Sequence, residues 1–324
     1  MNLGDGGTAR RLAAEARIRS WRGDAVVLLH SVFSNARLLD GRVFAAVRQR
    51  REPKAFFIGN EYKLMPEKMQ FCDELPVRLL VSQSSSPVVH RLYRDRLPCA
   101  VVGIPNSGLD ATLFRPCTDP DERPIDLGYR AQDAPWYLGH TERRDIAEYF
   151  EQQAARFGLR IDISLDPADR RAVPEWAAFL NRCKGQLGTE AGGDFFELTD
   201  ATRTAVNAYL GREPSASFAD VWGRFFRDYT GATPLRIMSS RHVEAAGTRT
   251  AQILFEGHYD GYLEPDVHYI PLKKDFSNAE EAMRKFADTD VRNGVADRAF
   301  ELVHRELTYD RLVDRFVTAL EPLL

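Results

Sequence analysis

The sequence predicts an α/β protein made of two Rossmann-like, doubly wound domains that face a cleft. Three observations predict it. Short apolar runs alternate with longer amphipathic stretches along nearly the whole chain. A proline-rich break interrupts that alternation near residue 117. The length, 324 residues, is about twice that of an ordinary domain. Continuous apolar strands separated by helices mean parallel sheets covered on both faces. The domains expected are residues 1–117 and 118–324, the second with terminal helices.

The elements follow in order. Residues 8–22 form good helical sequence with five arginines and a thin apolar face (Leu12, Ala16, Ile18, Trp21). This reads as a leading helix packed on the body, with an anionic membrane surface as the other use of such a segment. Strands are expected at 25–29, 55–59, 77–82 and 100–104, and helices at 35–48, 65–74 and 87–96. Residues 105–124 gather prolines and turn formers and read as a linker. The alternation then restarts with strands at 125–129 and 136–139, a helix at 145–157, a strand at 159–165, a helix at 173–182 and a strand at 185–190. Helices at 201–210, 218–229 and 240–247, strands at 251–255 and 268–272, and helices at 278–287, 291–307 and 309–320 complete it.

Composition removes several classes. No apolar run approaches the about 20 residues that a membrane span needs, and no apolar leader is visible. The four cysteines (Cys72, Cys99, Cys117, Cys183) contain no CxxC pair, so neither a zinc knuckle nor a disulfide framework is expected. A cytoplasmic location is expected, with peripheral contact to the inner membrane face as an option. The net charge of −3 hides an asymmetry. Residues 1–117 hold 18 lysines and arginines against 11 acids, a net of +7, and the remainder holds 26 against 36, a net of −10.

The common phosphate loops are absent: there is no GxGxxG, no GKS or GKT, and no GxSxG. The glycine-rich residues 4–7 follow no strand. Two Asp-x-Asp triplets, at 119–121 and 288–290, fall in the linker and between helices, where they read as turn and cap acids. No metal and no cofactor is expected.

The informative block is Arg241-His-Val-Glu244-Ala-Ala-Gly247-Thr248, then a strand, then His268-Tyr-Ile-Pro-Leu-Lys-Lys274-Asp-Phe-Ser-Asn278. It resembles the C-terminal domain of the group 1 glycosyltransferases, in the branch related to spore-maturation-type bacterial proteins. Residues 102–116 are similar to the segment that ends the N-terminal domain in that family. Tyr137-Leu-Gly-His140-Thr-Glu-Arg143 is similar to the glycine turn that opens its donor domain. The resemblance spans most of the chain from about residue 100. It implies the GT-B architecture and transfer of a sugar from a nucleotide-sugar to a glycan, a lipid-linked acceptor or another acceptor, as in bacterial polysaccharide biosynthesis. Nucleic acid is not among the expected partners. A nucleotide-sugar epimerase on the same fold and a non-catalytic nucleotide- or carbohydrate-binding protein are the alternatives.

The resemblance implies that Glu244 meets ribose hydroxyls and that Arg143 lies on the donor side. Gly247 and Thr248 are candidate donors to the phosphates, and Arg241 and Lys274 are candidates to neutralise the leaving diphosphate. The family's Glu-x7-Glu pattern is half missing, because seven intervening residues from Glu244 lead to Arg236 on one side and Gln252 on the other. Glu190, in Gly188-Thr-Glu190-Ala-Gly-Gly at an expected strand end, is the candidate replacement acid. His140 in the glycine turn and His30 after the first strand are the histidine acid–base candidates. Glu61, after the strand at 55–59, is the acceptor-side candidate.

Overall fold

The structure, a computed structural model, describes residues 8–39, 41–105, 107–229 and 233–324. The glycine-rich residues 4–7 lie outside them. The chain opens with helix α1 (Thr8–Ser20) and then lays down four parallel strands, β1 (Val26–Leu28), β2 (Lys54–Ile58), β3 (Val77–Ser82) and β4 (Ala100–Gly103), side by side in chain order. Helices α2 (Gly41–Arg48), α3 (Met65–Glu74) and α4 (Pro87–Arg96) connect them. Pro66 and Pro87 sit in the first turns of α3 and α4, where the missing N–H costs no helical bond.

Alternate residues of the two central strands face different cores. Phe56, Ile58 and Leu80 pack with Val43, Met65, Phe71 and Tyr93 from the connecting helices. Ala55, Leu79 and Val81 belong to a core shared with residues from far along the chain, including Leu302 and Leu320. The segment 105–124 is built into that second core. The Leu109 amide donates to Leu307 O at 2.7 Å, and Leu109 and Phe114 are buried.

The second sheet has five parallel strands: β5 (Ile125–Arg130), β6 (Ile161–Ser164), β7 (Cys183–Gly188), β10 (Ala251–Phe255) and β11 (Ile270–Leu272), in the order β11-β10-β7-β5-β6. Helices α5 (Glu142–Gln153) and α6 (Val173–Leu180) make the first crossovers. A short antiparallel pair, β8 (Ala191–Gly193) with β9 (Leu235–Ile237), brackets helices α7 (Ala201–Arg212) and α8 (Phe218–Phe225). Helix α9 (Ser240–Gly247) then leads into β10, and α10 (Ala279–Ala287), α11 (Thr289–Glu306) and α12 (Tyr309–Leu320) follow β11. The chain leaves β5 in one direction to make β6 and returns on the other side to make β7. That reversal opens a crevice at the carboxyl ends of β5 and β7, where ligands of such sheets bind.

Two local expectations are corrected. Residues 136–139 form a helical turn, Trp136–Leu138, and not a strand. It closes on Gly139 at φ +83°, and a Cβ there would meet the Phe195 ring at 2.3 Å. The expected strand at 185–190 ends at Gly188, and β8 begins at Ala191 as a separate element, so Glu190 lies in the turn between them. The β8–β9 pair was not foreseen, because three-residue strands carry too little pattern to read.

Two contacts pin the halves of the chain together. α12 returns to the first sheet, with the Phe316 ring 5.0 Å from that of Phe57. Asp200, before α7, accepts from the Leu64 and Met65 amides at 2.6 and 3.2 Å and so caps α3 across the junction. Among the described residues, no helix is long and apolar enough to cross a membrane.

Candidate functional site

Helix α9 organises the crevice. Arg241 and Glu244, three residues apart, lie on neighbouring positions of one helical face. Both line a cavity of about 290 Å³ at the carboxyl ends of β5 and β6, together with Arg143, Trp176, Arg170 and Arg171. Arg143 also lines a second cavity, of about 170 Å³, whose walls come from both halves of the chain. Asn60, Tyr62, Gln83 and Ser107 face Gly192, Ser239 and Ser240 there. The start of α9 therefore borders both cavities, and Arg143 joins them.

The charges in the larger cavity are only partly compensated. Trp176 Nε1 donates to Glu244 Oε2 at 2.7 Å. Burial pushes the Glu244 carboxyl up, opposed by Trp176, Ser240 and Arg241. Burial, and then the neighbouring Arg143, push the Arg241 guanidinium down. Among the described residues neither arginine is ion-paired with a carboxylate. Arg143 donates only to Gln132 O, at 3.3 Å, and its Nε is buried without a partner. The Ser239 hydroxyl at the start of α9 is likewise buried and unpartnered. Two like charges beside a helix N-terminus are the arrangement an anion would complete.

The other expected cation, Lys274, is neutralised together with Arg236. Arg236 on β9 forks onto Glu142, with Nη1 to Oε2 and Nη2 to Oε1 both at 2.9 Å, and also meets Asp194 Oδ1 at 2.7 Å. Lys274 Nζ stands 2.7 Å from Glu142 Oε1. Lys274 is thus held in this network, outside both cavity walls. Arg236 stands where the resemblance would place an acid, and there it forms an ion cluster with buried Glu142 and the more exposed Asp194 and Lys274.

Gly247 and Thr248 are corrected most clearly. They sit at the C-terminal end of α9, away from both cavities. A Cβ on Gly247 would lie 2.3 Å from Leu109 Cδ1 and 2.9 Å from Phe114 O, so this glycine permits close packing of the linker. Thr248 is fully buried, and its hydroxyl donates to Ala245 O at 3.0 Å. These groups cap the helix and are not available to a phosphate.

The acid–base candidates also lie off the walls. Glu190 is buried, and its Oε1 accepts from the His258 and Tyr259 amides at 3.0 and 2.7 Å. Burial raises its pKa against those bonds, and its carboxylate packs where Gly257 leaves room for no Cβ. His140 is buried with Nε2 3.0 Å from Gly192 O. Burial and then Arg236 push its pKa down, and the ring supports β8 through its bond to Gly192. His30 is exposed in the turn after β1 and lines neither cavity. Glu61 is 1% exposed and serves as a buried acceptor for Tyr93 OH (2.6 Å), the Gln83 amide (2.6 Å) and Ser82 OH (2.8 Å).

Sequence reasoning missed Trp176, Arg170 and Arg171 on one wall and Asn60, Tyr62 and Gln83 on the other. The strand-end rule that singled out Glu61 and Glu190 applies equally to the segment after β6 and to Gln83 after β3. Those residue types carried no acid–base signal to draw notice. Among the described residues, no group of three or more His, Cys, Asp or Glu is placed to hold a metal ion.

No family model matches the chain, and no curated protein matches it. Solved structures do. Sucrose-phosphate synthase from Thermosynechococcus elongatus aligns over 97% of this chain and 77% of its own, with a TM-score of 0.53 and 10% identity. A DNA-modifying β-glucosyltransferase, described with and without its substrate uridine diphosphoglucose, aligns over 94% and 83%, with a TM-score of 0.54 and 9% identity. HepE from Anabaena in complex with UDP aligns over 96% and 81%, with a TM-score of 0.53 and 12% identity. At such identities the likeness concerns the fold, and the fold is GT-B.

Proposed function

We propose that the chain is a glycosyltransferase that takes a hexose or related sugar from a nucleotide-sugar bound at the α9 crevice. The observation that carries this reading is the pair Arg143 and Arg241. Two guanidiniums without carboxylate partners face one cavity beside Glu244, and that cavity is joined to one lined by both halves of the chain. A diphosphate supplies the negative charge the pair lacks. Glu244 Oε1, left over by the Trp176 bond, accepts from ribose hydroxyls.

In transfer, the acceptor oxygen bonds to the anomeric carbon as that carbon's bond to the diphosphate breaks. The bonding electrons and the acceptor's proton end on the nucleoside diphosphate. Arg143 and Arg241 stabilise the charge that develops there, with no metal assigned a part. Residues 1–117 are the acceptor half in this reading, and 118–324 the donor half. A fold shared with HepE, which was solved with UDP and with UDP-glucose, makes uridine nucleotides the first donors to assay.

The test is thermal unfolding with UDP, GDP and ADP at millimolar concentration. At least one raises the Tm, as a ligand selective for the native state must, and the Arg241→Ala variant loses most of that rise. No shift with any of the three overturns the reading.

A further inference from the structure

We infer that the wall formed by Asn60, Tyr62, Gln83 and Ser107 is an acceptor subsite for a neutral, hydroxyl-rich ligand, a saccharide and not an anionic glycan or lipid phosphate. This rests on the donor reading above and adds the class of acceptor.

The hydrogen bonds within the wall are oriented. Tyr62 OH donates to Asn60 Oδ1 at 3.0 Å, and the Asn60 amide donates to Gln83 Oε1 at 3.2 Å. Both side-chain carbonyls are therefore used inside the wall. The NH2 groups of Asn60 and Gln83 make no hydrogen bond among the described residues. Asn60 is held at φ +48°, a left-handed conformation that asparagine adopts more readily than most residues. The cavity thus offers two amide donors, the Ser107 hydroxyl and the flank of an aromatic ring. Sugar hydroxyls accept from such donors, and the apolar face of a pyranose covers such a ring.

The charges of the basic half do not reach this wall. Arg143 is the one charged residue lining the cavity among the described residues, and the diphosphate claims it. Lys63 Nζ is 3.2 Å from Asn35 Oδ1. Lys68 is buried behind the wall, donating to Gly59 O at 2.6 Å and to Asn60 O at 2.8 Å. Arg17, Arg22, Arg91 and Arg94 are exposed on and just after α1 and on α4, outside the cavity lining. The net +7 of residues 1–117 is thus carried elsewhere, and an anionic acceptor would meet no unused cation here. Desolvating an unpaired charge is costly, whereas sugar hydroxyls lose little on exchanging water for these donors.

The experiment uses the full chain saturated with whichever of UDP, GDP or ADP raises the Tm most. Maltose, cellobiose, lactose and methyl glucoside are compared with glucuronic acid, a heparin disaccharide and vesicles carrying undecaprenyl phosphate. Binding is read by saturation-transfer difference NMR for the soluble compounds, and product formation with the matching nucleotide-sugar for all of them. Saturation transfer to a neutral saccharide, with product from it, is the expected result. Product confined to the charged or lipid-phosphate acceptors overturns the inference. No signal from any neutral saccharide, on protein that still binds the nucleotide, also overturns it and leaves the donor reading standing. Loss of the nucleotide effect itself removes the donor reading first. Gln83→Ala and Tyr62→Ala each raise the acceptor KM about tenfold, the worth of one hydrogen bond or one ring contact. The nucleotide-induced Tm rise checks that each variant is folded. An unchanged KM in both rules out the wall.

Discussion

Two polar clusters occupy equivalent positions in the two sheets, each at the carboxyl ends of parallel strands, and they behave in opposite ways. At the first sheet Glu61 is sealed. Its carboxylate takes three donors from Ser82, Gln83 and Tyr93, and it lines neither of the two cavities. At the second sheet Arg143 and Arg241 line a cavity of about 290 Å³, and among the described residues neither has a carboxylate partner. A satisfied cluster holds its own fold together, whereas an unsatisfied one lowers stability until a ligand completes it. The difference separates a structural carboxylate from a binding site where residue type alone does not.

Breaking the open cluster is expected to have the largest effect. Arg241→Ala should lower kcat/KM for the nucleotide-sugar by about 10²–10³, or about 3–4 kcal/mol. The Tm of the ligand-free protein should not fall, because the change removes one of two repelling cations. Calorimetry and steady-state kinetics on one preparation check both halves of this expectation.

The sealed cluster should show itself through pH. Burial pushes the Glu61 carboxyl up to about 7, against the hydrogen bonds from Tyr93, Gln83 and Ser82 that favour its charged form. The native state therefore keeps a proton that the unfolded chain gives up near the ordinary value of 4.5. Stability contributed by this group falls as pH rises from about 4.5 to about 7, by about 3 kcal/mol. Glu61→Gln should flatten the fall, which denaturant midpoints taken between pH 5 and 8 will show, and should leave nucleotide binding intact.

A smaller effect tests what holds the two clusters in register. Asp260 Oδ1 accepts from the Ser85 amide of the first half at 3.2 Å, and its Oδ2 from the Met238 amide, just ahead of α9, at 2.8 Å. Asp260→Ala should cost about 1–2 kcal/mol of stability and reduce transfer more than nucleotide binding, measured as kcat against Kd. The least effect on binding is expected from Gly247→Ala. The added methyl meets the end of buried Leu109 and the Phe114 carbonyl oxygen, so about 1–3 kcal/mol of stability is lost with nucleotide affinity kept. A fall in affinity there would restore Gly247 to the donor site.

Much of this was legible in the chain. The apolar runs at 55–58 and 79–81 read as strands with covered faces, and the structure pairs them in parallel. The spacing of Arg241 and Glu244 puts them on one face of a helix wherever that helix docks. Glu61, Glu190 and His140 were read from positions near strand ends or in the glycine turn, and such a position does not tell whether a side chain turns toward the crevice or into the core. Gly247 and Thr248 were read from proximity to Glu244, although one helix carries them to the opposite end.

By itself the sequence determined the alternation of strands and helices and the helix that presents Arg241 and Glu244. Tertiary structure alone decided which cations remain unpaired. Arg236 meets acids 94 and 42 positions away in the chain, and Lys274 shares one of them, while Arg143 and Arg241 find none among the described residues. Ion pairing falls off over a few ångströms, and distances of that kind between remote residues exist only after the sheets have packed.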